Sequence, residues 1–126
     1  EIYVNHAGVT RRAAADEPVV AGDRIRFALR SPTSGASSVH AAVFSLDGAD
    51  QASVYATADV PLDPTSRELP GAIALDATLG IERLIALACV PALDVEKLRT
   101  QLAATGALAT PTGCMRADAT LRKVAP

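Results

Sequence analysis

Tryptophan is absent from this sequence, and two tyrosines and two phenylalanines are its only aromatics in 126 residues. The commonest stacking surface for sugars and bases is therefore missing, and the core must be built from small aliphatic side chains that stabilise by number rather than size. Histidine occurs twice, at His6 and His40, and cysteine twice, at Cys89 and Cys114. Zinc-type Cys-x₂-Cys spacing is missing, and the histidines lie far from the cysteines in sequence, which argues against a metal centre. No Gly-x-Ser-x-Gly motif occurs. The longest nearly uncharged run, Leu84 to Leu93, is half of the roughly 20 residues a membrane helix needs. Acidic residues number 14 and basic residues 12. No run of lysine and arginine tracks a phosphate backbone, so nucleic acid is not an expected partner.

Hydrophobic residues make up 49% of the chain, enough to bury one core, and the length suits one domain spanning residues 1–126. The clearest periodic segment is Arg24 to Arg30, where Ile25, Phe27 and Leu29 alternate with Arg24, Arg26 and Arg30. Such alternation marks a half-buried strand. Further strands are expected at Ile2 to His6 and at Val9 to Ala13, joined by an Ala7-Gly8 turn. Asp16-Glu17-Pro18 is expected to break the chain before a turn at Ala21-Gly22-Asp23. Val39 to Leu46 and Ala52 to Ala58 read as a hairpin around Asp47-Gly48. Ser31 to Ser38 and Pro61 to Pro70 read as loops, the second with three prolines.

Ala72 to Leu75 is a short strand. Glu82 to Val90 is apolar on both faces, which predicts a central strand covered on both sides. Asp94 has the chemistry of a helix N-cap, Val95, Leu98 and Leu102 recur at helical spacing, and Gly106 occupies the C-terminal cap position. Cys114 to Val124 closes the chain as a strand. The pattern predicts a mainly β fold: an antiparallel β-sandwich of about seven or eight strands with one helix near residues 94–105. That helix would cap one end or cross between the sheets.

An ordered series of turn and strand residues resembles a bacterial domain of unknown function. It comprises Ala21-Gly22-Asp23-Arg24-Ile25-Arg26-Phe27, Val43-Phe44-Ser45-Leu46-Asp47-Gly48, Val54-Tyr55, Leu69-Pro70-Gly71 through Asp76, and Gly80 with Glu82-Arg83-Leu84-Ile85-Ala86-Leu87. That domain follows anti-sigma-type zinc-finger, kinase or caspase-like segments in envelope-associated proteins and is frequent in myxobacteria. The resemblance spans roughly residues 20 to 90. It implies a non-catalytic accessory or sensory module and carries over no active site, because the shared residues belong to turns and core. Where such domains carry aromatics before Asp-Gly, this chain has Val39-His40-Ala41-Ala42-Val43, which reduces any aromatic platform there.

The candidate residues each have a plain alternative. Cys89 and Cys114 would close a disulfide in an oxidising envelope compartment, and would be two buried thiols in a cytosolic protein. His40, with Asp47, Asp50 or Asp59, would be the base of a hydrolase, or an ordinary strand residue; His6 is read in the same two ways. Ser37-Ser38 near His40 reads as a polar loop. Asp47-Gly48-Ala49-Asp50 lacks the alternate ligands and closing glutamate of a calcium loop. Arg11, Arg24, Arg26 and Arg30, with Arg12 beside them, would form a cationic interaction strip if their strands are neighbours. They would otherwise be the solvated outer face of a sheet.

The chain starts at Glu1 and enters a strand at once, which reads as a segment cut from a larger protein. A membrane anchor or signal would then lie upstream. The sequence reading is a non-catalytic extracytoplasmic or periplasmic sensory or protein-interaction module of a bacterial regulatory (anti-sigma-type) or envelope protein. It needs no cofactor or metal, and its partner is a protein or envelope ligand. The alternative is a carbohydrate or cell-wall binding module, which requires two of Tyr3, Phe27, Phe44 and Tyr55 on one exposed face.

Overall fold

The computed structural model describes residues 1–30, 38–61 and 65–126. The expected loop from Ser31, including Ser37, and the middle of the Pro61 to Pro70 loop lie outside the described residues. Among the described residues ten strands and one helix follow in order: β1 Ile2–His6, β2 Val9–Arg12, β3 Glu17–Val19, β4 Arg24–Leu29, β5 Ser38–Leu46, β6 Ala52–Pro61, β7 Arg67–Glu68, β8 Ile73–Ala74, β9 Gly80–Cys89, α1 Val95–Thr105 and β10 Cys114–Lys123. They form two sheets. Sheet A has the order β2-β1-β4, with β7 and β8 along the far edge of β4; sheet B has the order β3-β10-β9-β5-β6. The fold is a mainly β sandwich, as the alternation predicts.

The strand count exceeds expectation because short pieces pair where the sequence suggests only breaks and loops. Glu17–Val19 runs parallel to the end of β10, and Pro18 is tolerated there because β3 is an edge strand. Arg67–Glu68 pairs with β4.

The central strands of sheet B, β5 and β9, are buried on both sides. Val39, Ala41, Val43 and Leu84 face sheet A, packing with Val4, Ile25 and Phe27. Ala42, Phe44, Ile85 and Leu87 point the other way, against Leu98, Leu102 and Leu108. The helix therefore neither caps an end nor crosses between the sheets. It covers the outer face of sheet B, lying over β5 and β6, because that face is too apolar to meet water. Asp94 caps it by accepting from Lys97 N at 3.1 Å, and Gly106 ends it at φ 70°. Arg83, on the helix side of β9, donates to Gly106 O at 2.7 Å, placing a cation at the negative helix end.

A bulge shapes β6. Val43 faces Ala56 while Phe44 faces Val54, so Tyr55 is the extra residue. Without the bulge Tyr55 would point towards the helix; with it, Tyr55 and Ala56 both pack on the inter-sheet core. The Tyr55 ring lies 6.4 Å from that of Phe27. At the other end of the β5–β6 hairpin, Asp47 Oδ1 accepts from Ala49 N and Gln51 N. Gly48 meets the β9 entry so closely that a Cβ there would stand 2.3 Å from Leu79 O.

Candidate functional site

The outer face of sheet A gathers most of the polar chemistry that points away from the core. Strand register puts Arg12 and Arg26 on either side of Tyr3, and Thr10 and Arg24 on either side of Asn5. Alternation leaves all six on the side opposite Val4 and Ile25, whose side chains are wholly buried. Tyr3, Asn5, Thr10, Arg24, Arg26 and Glu68 line a groove of about 420 Å³. Arg30 follows at the end of β4.

The positive charges here are loosely answered. Arg12 and Arg30 stand 3.7 and 4.0 Å from Glu1, and Arg26 stands 3.8 Å from Glu68. No ion pair engages Arg24 among the described residues. Glu1 is committed elsewhere: it accepts hydrogen bonds from Ser66 Oγ at 2.8 Å and Tyr3 OH at 2.9 Å. Those two bonds, helped by Arg12, hold its carboxyl below the usual range, and the bond to Glu1 raises the Tyr3 hydroxyl. An acidic group arriving at this face would meet guanidinium donors set in a fixed row, with fork geometry suited to carboxylates.

Of the sequence-predicted strip, Arg24, Arg26 and Arg30 share this face. Arg11 does not: it stands across from the core residue Val4 and its Nε donates to Glu17 Oε1 at 2.7 Å, tying β2 to β3 of the other sheet. Arg12 takes its place in the strip. Cys89 and Cys114 are directly paired in register and joined as a disulfide. Of the aromatics, Phe44 is wholly buried, Phe27 nearly so, and Tyr55 packs against the core. Tyr3 alone belongs to the exposed face, so the described residues do not supply the aromatic pair a sugar platform needs.

Both histidines have carboxylate partners. His40 Nδ1 is 2.7 Å from Asp59 Oδ1, both side chains being substantially exposed, in an open groove with Thr57 and Leu93. His6 Nδ1 is 2.5 Å from Asp23 Oδ1, while Asp23 Oδ2 accepts from Val20 N at 3.0 Å and so holds the turn before β4. Water reaches both imidazoles, while Asp23 itself is buried. Among the described residues no group of three metal-ligating side chains converges.

The inter-sheet space holds two further features. One is a cleft of about 460 Å³ whose walls include Phe27, Leu29, Val43 and Leu84, with Arg12 and Asp118 among its lining residues. The other is a charged cluster at the exit of β10. Lys123 is 1% exposed and Glu82 is fully buried; Lys123 Nζ contacts Glu82 Oε1 at 3.0 Å and Asp76 Oδ1 at 2.5 Å. Burial opposes the Lys123 charge, but the bonds and charges of Asp76 and Glu82 outweigh it and raise its pKa. The Tyr55 hydroxyl is pushed up by burial, opposed by a bond with Ser45 and reinforced by the Glu82 charge. Sequence reasoning reaches an ion pair between Glu82 and a neighbouring strand but does not bring Lys123 and Asp76 to it. The signal for the cluster was parity: Glu82 falls in step with inward Leu84, and Lys123 with inward Leu121.

Compared with known protein families, with curated proteins and with solved structures, the chain matches none.

Proposed function

We propose that this chain is a non-catalytic interaction module working outside the cytoplasm, and that the outer face of sheet A docks an acidic segment of a partner protein. One observation carries the reading: Arg12 and Arg26 flank Tyr3, Arg24 flanks Asn5 on the same sheet face and Arg30 follows at the end of β4, while among the described residues the carboxylates paired with Arg12, Arg26 and Arg30 stand 3.7 to 4.0 Å away. The chain as a whole carries a formal charge of −2, so this face is a local reversal of sign. Such asymmetry steers an oppositely charged partner and fixes its register. Arg24 and Arg26 line the same groove as Asn5 and Thr10, which offer neutral polar groups beside the two cations.

The Cys89–Cys114 disulfide supports the compartment, since such bonds persist in oxidising surroundings. The link to a bacterial envelope-associated, anti-sigma-type regulator rests on the sequence resemblance; in that setting the module would sense or hold an external partner. The carbohydrate alternative draws less support, with Tyr3 as the lone aromatic of the groove.

Fluorescence anisotropy with a labelled oligoglutamate peptide, and an oligolysine control, tests the docking face. Binding of oligoglutamate alone is expected, weakening as salt rises, and abolished by Arg24→Glu with Arg26→Glu. Binding that survives this double reversal, or no binding at low salt, overturns the assignment. A thiol count in denaturant on protein from its native compartment tests the location: no reactive thiol is expected, and two would place the chain in a reducing environment.

A further inference from the structure

Lys123 is the one amine in this chain whose side chain the fold removes from water, and the fold delivers it to a carboxyl group. It ends β10 of sheet B with a side chain 1% exposed. Its Nζ lies 2.5 Å from Oδ1 of Asp76, a residue just past β8 of sheet A and 47 positions away in sequence. Glu82, fully buried on neighbouring β9, brings Oε1 to 3.0 Å from the same Nζ. The Glu82 carboxylate is therefore answered by the Lys123 ammonium inside the fold, and a buried ion pair adds little net stability because the cost of desolvating both charges offsets their attraction. Thr78 N fixes the Asp76 carboxyl by donating to Oδ1 at 3.0 Å.

We propose that Lys123 and Asp76 condense into an intramolecular amide, with Glu82 moving the protons. Lys123 passes a proton through the Glu82 carboxylate to Asp76, leaving a neutral amine beside a neutral carboxylic acid. The Nζ lone pair attacks Cγ of Asp76, and a C–N bond forms. Glu82 takes the second amine proton and returns it to the departing hydroxyl; the Cγ–O bond breaks and one water leaves. Lysine ammonium and aspartate carboxylate thus become an amide and water, Glu82 ends as it began, and no oxidant or reductant is needed.

One physical term favours the step: the fold holds the Lys123 amine and the Asp76 carboxyl in contact, replacing a bimolecular encounter by an intramolecular one. Asp76 is 59% exposed, so the released water has a path out. The bond would tie sheet A to sheet B at the end of β10, opposite the Cys114 end, so that both ends of this strand would be covalently held.

Intact mass spectrometry of the denatured, unreduced full chain decides the matter. The expected mass is lower by one water than the disulfide-bonded sequence, and digestion should yield one branched peptide containing both Asp76 and Lys123. Asp76→Ala, at an exposed position, should restore the full mass while the protein stays folded. Glu82→Gln should also restore it with both reacting residues retained. A full-mass wild-type protein after prolonged incubation in the folded state overturns the proposal. So does a lost water that maps to the Asp47-Gly48 turn, where succinimide closure gives the same mass change, or one that survives Asp76→Ala.

Discussion

The two faces of sheet B are built from the same strands yet reach different ends. Towards the helix, Phe44, Ile85, Leu87, Leu102 and Cys89 form an apolar layer that is closed over the middle of the sheet and opens into grooves beside Leu93 and Leu98 at the start of the helix. Towards sheet A, the layer is apolar in its middle, opens into a cleft beside Val43 and Leu84, and ends in the charged group of Glu82 and Lys123. The difference follows from how each face is covered. The helix face is closed by a single excursion between two adjacent strands, its neck shut by the Cys89–Cys114 bond and by Val90 N donating to Gly113 O at 3.1 Å. The other face is covered by strands drawn from distant parts of the chain. Here the tethered segment packs closely over Phe44, Ile85 and Leu87, whereas the separate sheet leaves a cleft beside Val43 and Leu84 and a charged group at its end.

Neighbouring residues on β9 test this contrast with the largest effect. Ile85→Ala opens a cavity in the closed layer and should cost about 3–4 kcal/mol, whereas Leu84→Ala enlarges a cleft that already exists and should cost about 2 kcal/mol. Urea melts of the two variants give the order directly, and equal losses would erase the distinction between the faces.

Removing the disulfide with Cys89→Ala and Cys114→Ala should cost about 3 kcal/mol, from the loop entropy returned to the unfolded chain. Hydrogen exchange should then show the helix opening ahead of the sheets, because the neck guards that excursion alone. Exchange that rises equally in sheet A would mean the bond serves the whole sandwich.

A matched pair of small-to-large changes sharpens the comparison further. Ala42→Val, in the closed layer, should destabilise by about 1–2 kcal/mol through overpacking. Ala86→Val, facing the cleft, should be neutral or stabilise by about 0.5 kcal/mol by adding buried methyl surface. Opposite signs in thermal melts are the expected result; the same sign in both would show the cleft to be no looser than the helix layer.

The smallest effect concerns the stitch between sheets at Arg11 and Glu17. The Arg11 guanidinium, and then the Ala14 N–H, hold the Glu17 carboxyl below its ordinary 4.5. A lowered folded-state pKa contributes stability that is present above the unfolded value and lost as pH falls through the folded one. Stability of the wild type should therefore decline more steeply below pH 4.5 than that of Glu17→Gln, with no difference in slope above it. Parallel acid titrations followed by circular dichroism would expose a failure of this expectation.

Local signals carried most of the strand pattern. Arg24 to Leu29 alternates because one side of that strand meets the core, and Asp94 and Gly106 bracket α1 because their own side chain and backbone freedom cap it. The β9 segment, apolar on both faces, correctly implied cover on both sides. The nature of that cover was not legible, since either a helix or a sheet satisfies the same apolar row. Nor was the exchange of Arg12 for Arg11 on the outer face, because adjacent arginines at a strand end look alike until register to β1 puts one across from Tyr3 and the other across from Val4. Tyr55 joined the core through a bulge, an insertion in pairing that leaves no mark in its own alternation.

By itself, then, the sequence determined the longer strands, the helix, the fold class and the identity of the residues able to bridge or to carry charge, since periodicity, turn chemistry and capping act within a few residues. Tertiary structure decided which of the charged groups meet: Arg12 and Arg26 beside Tyr3, Arg24 beside Asn5, and Lys123 with Glu82 and Asp76. Those meetings depend on strand order and sheet stacking, which are set by contacts between segments tens of residues apart.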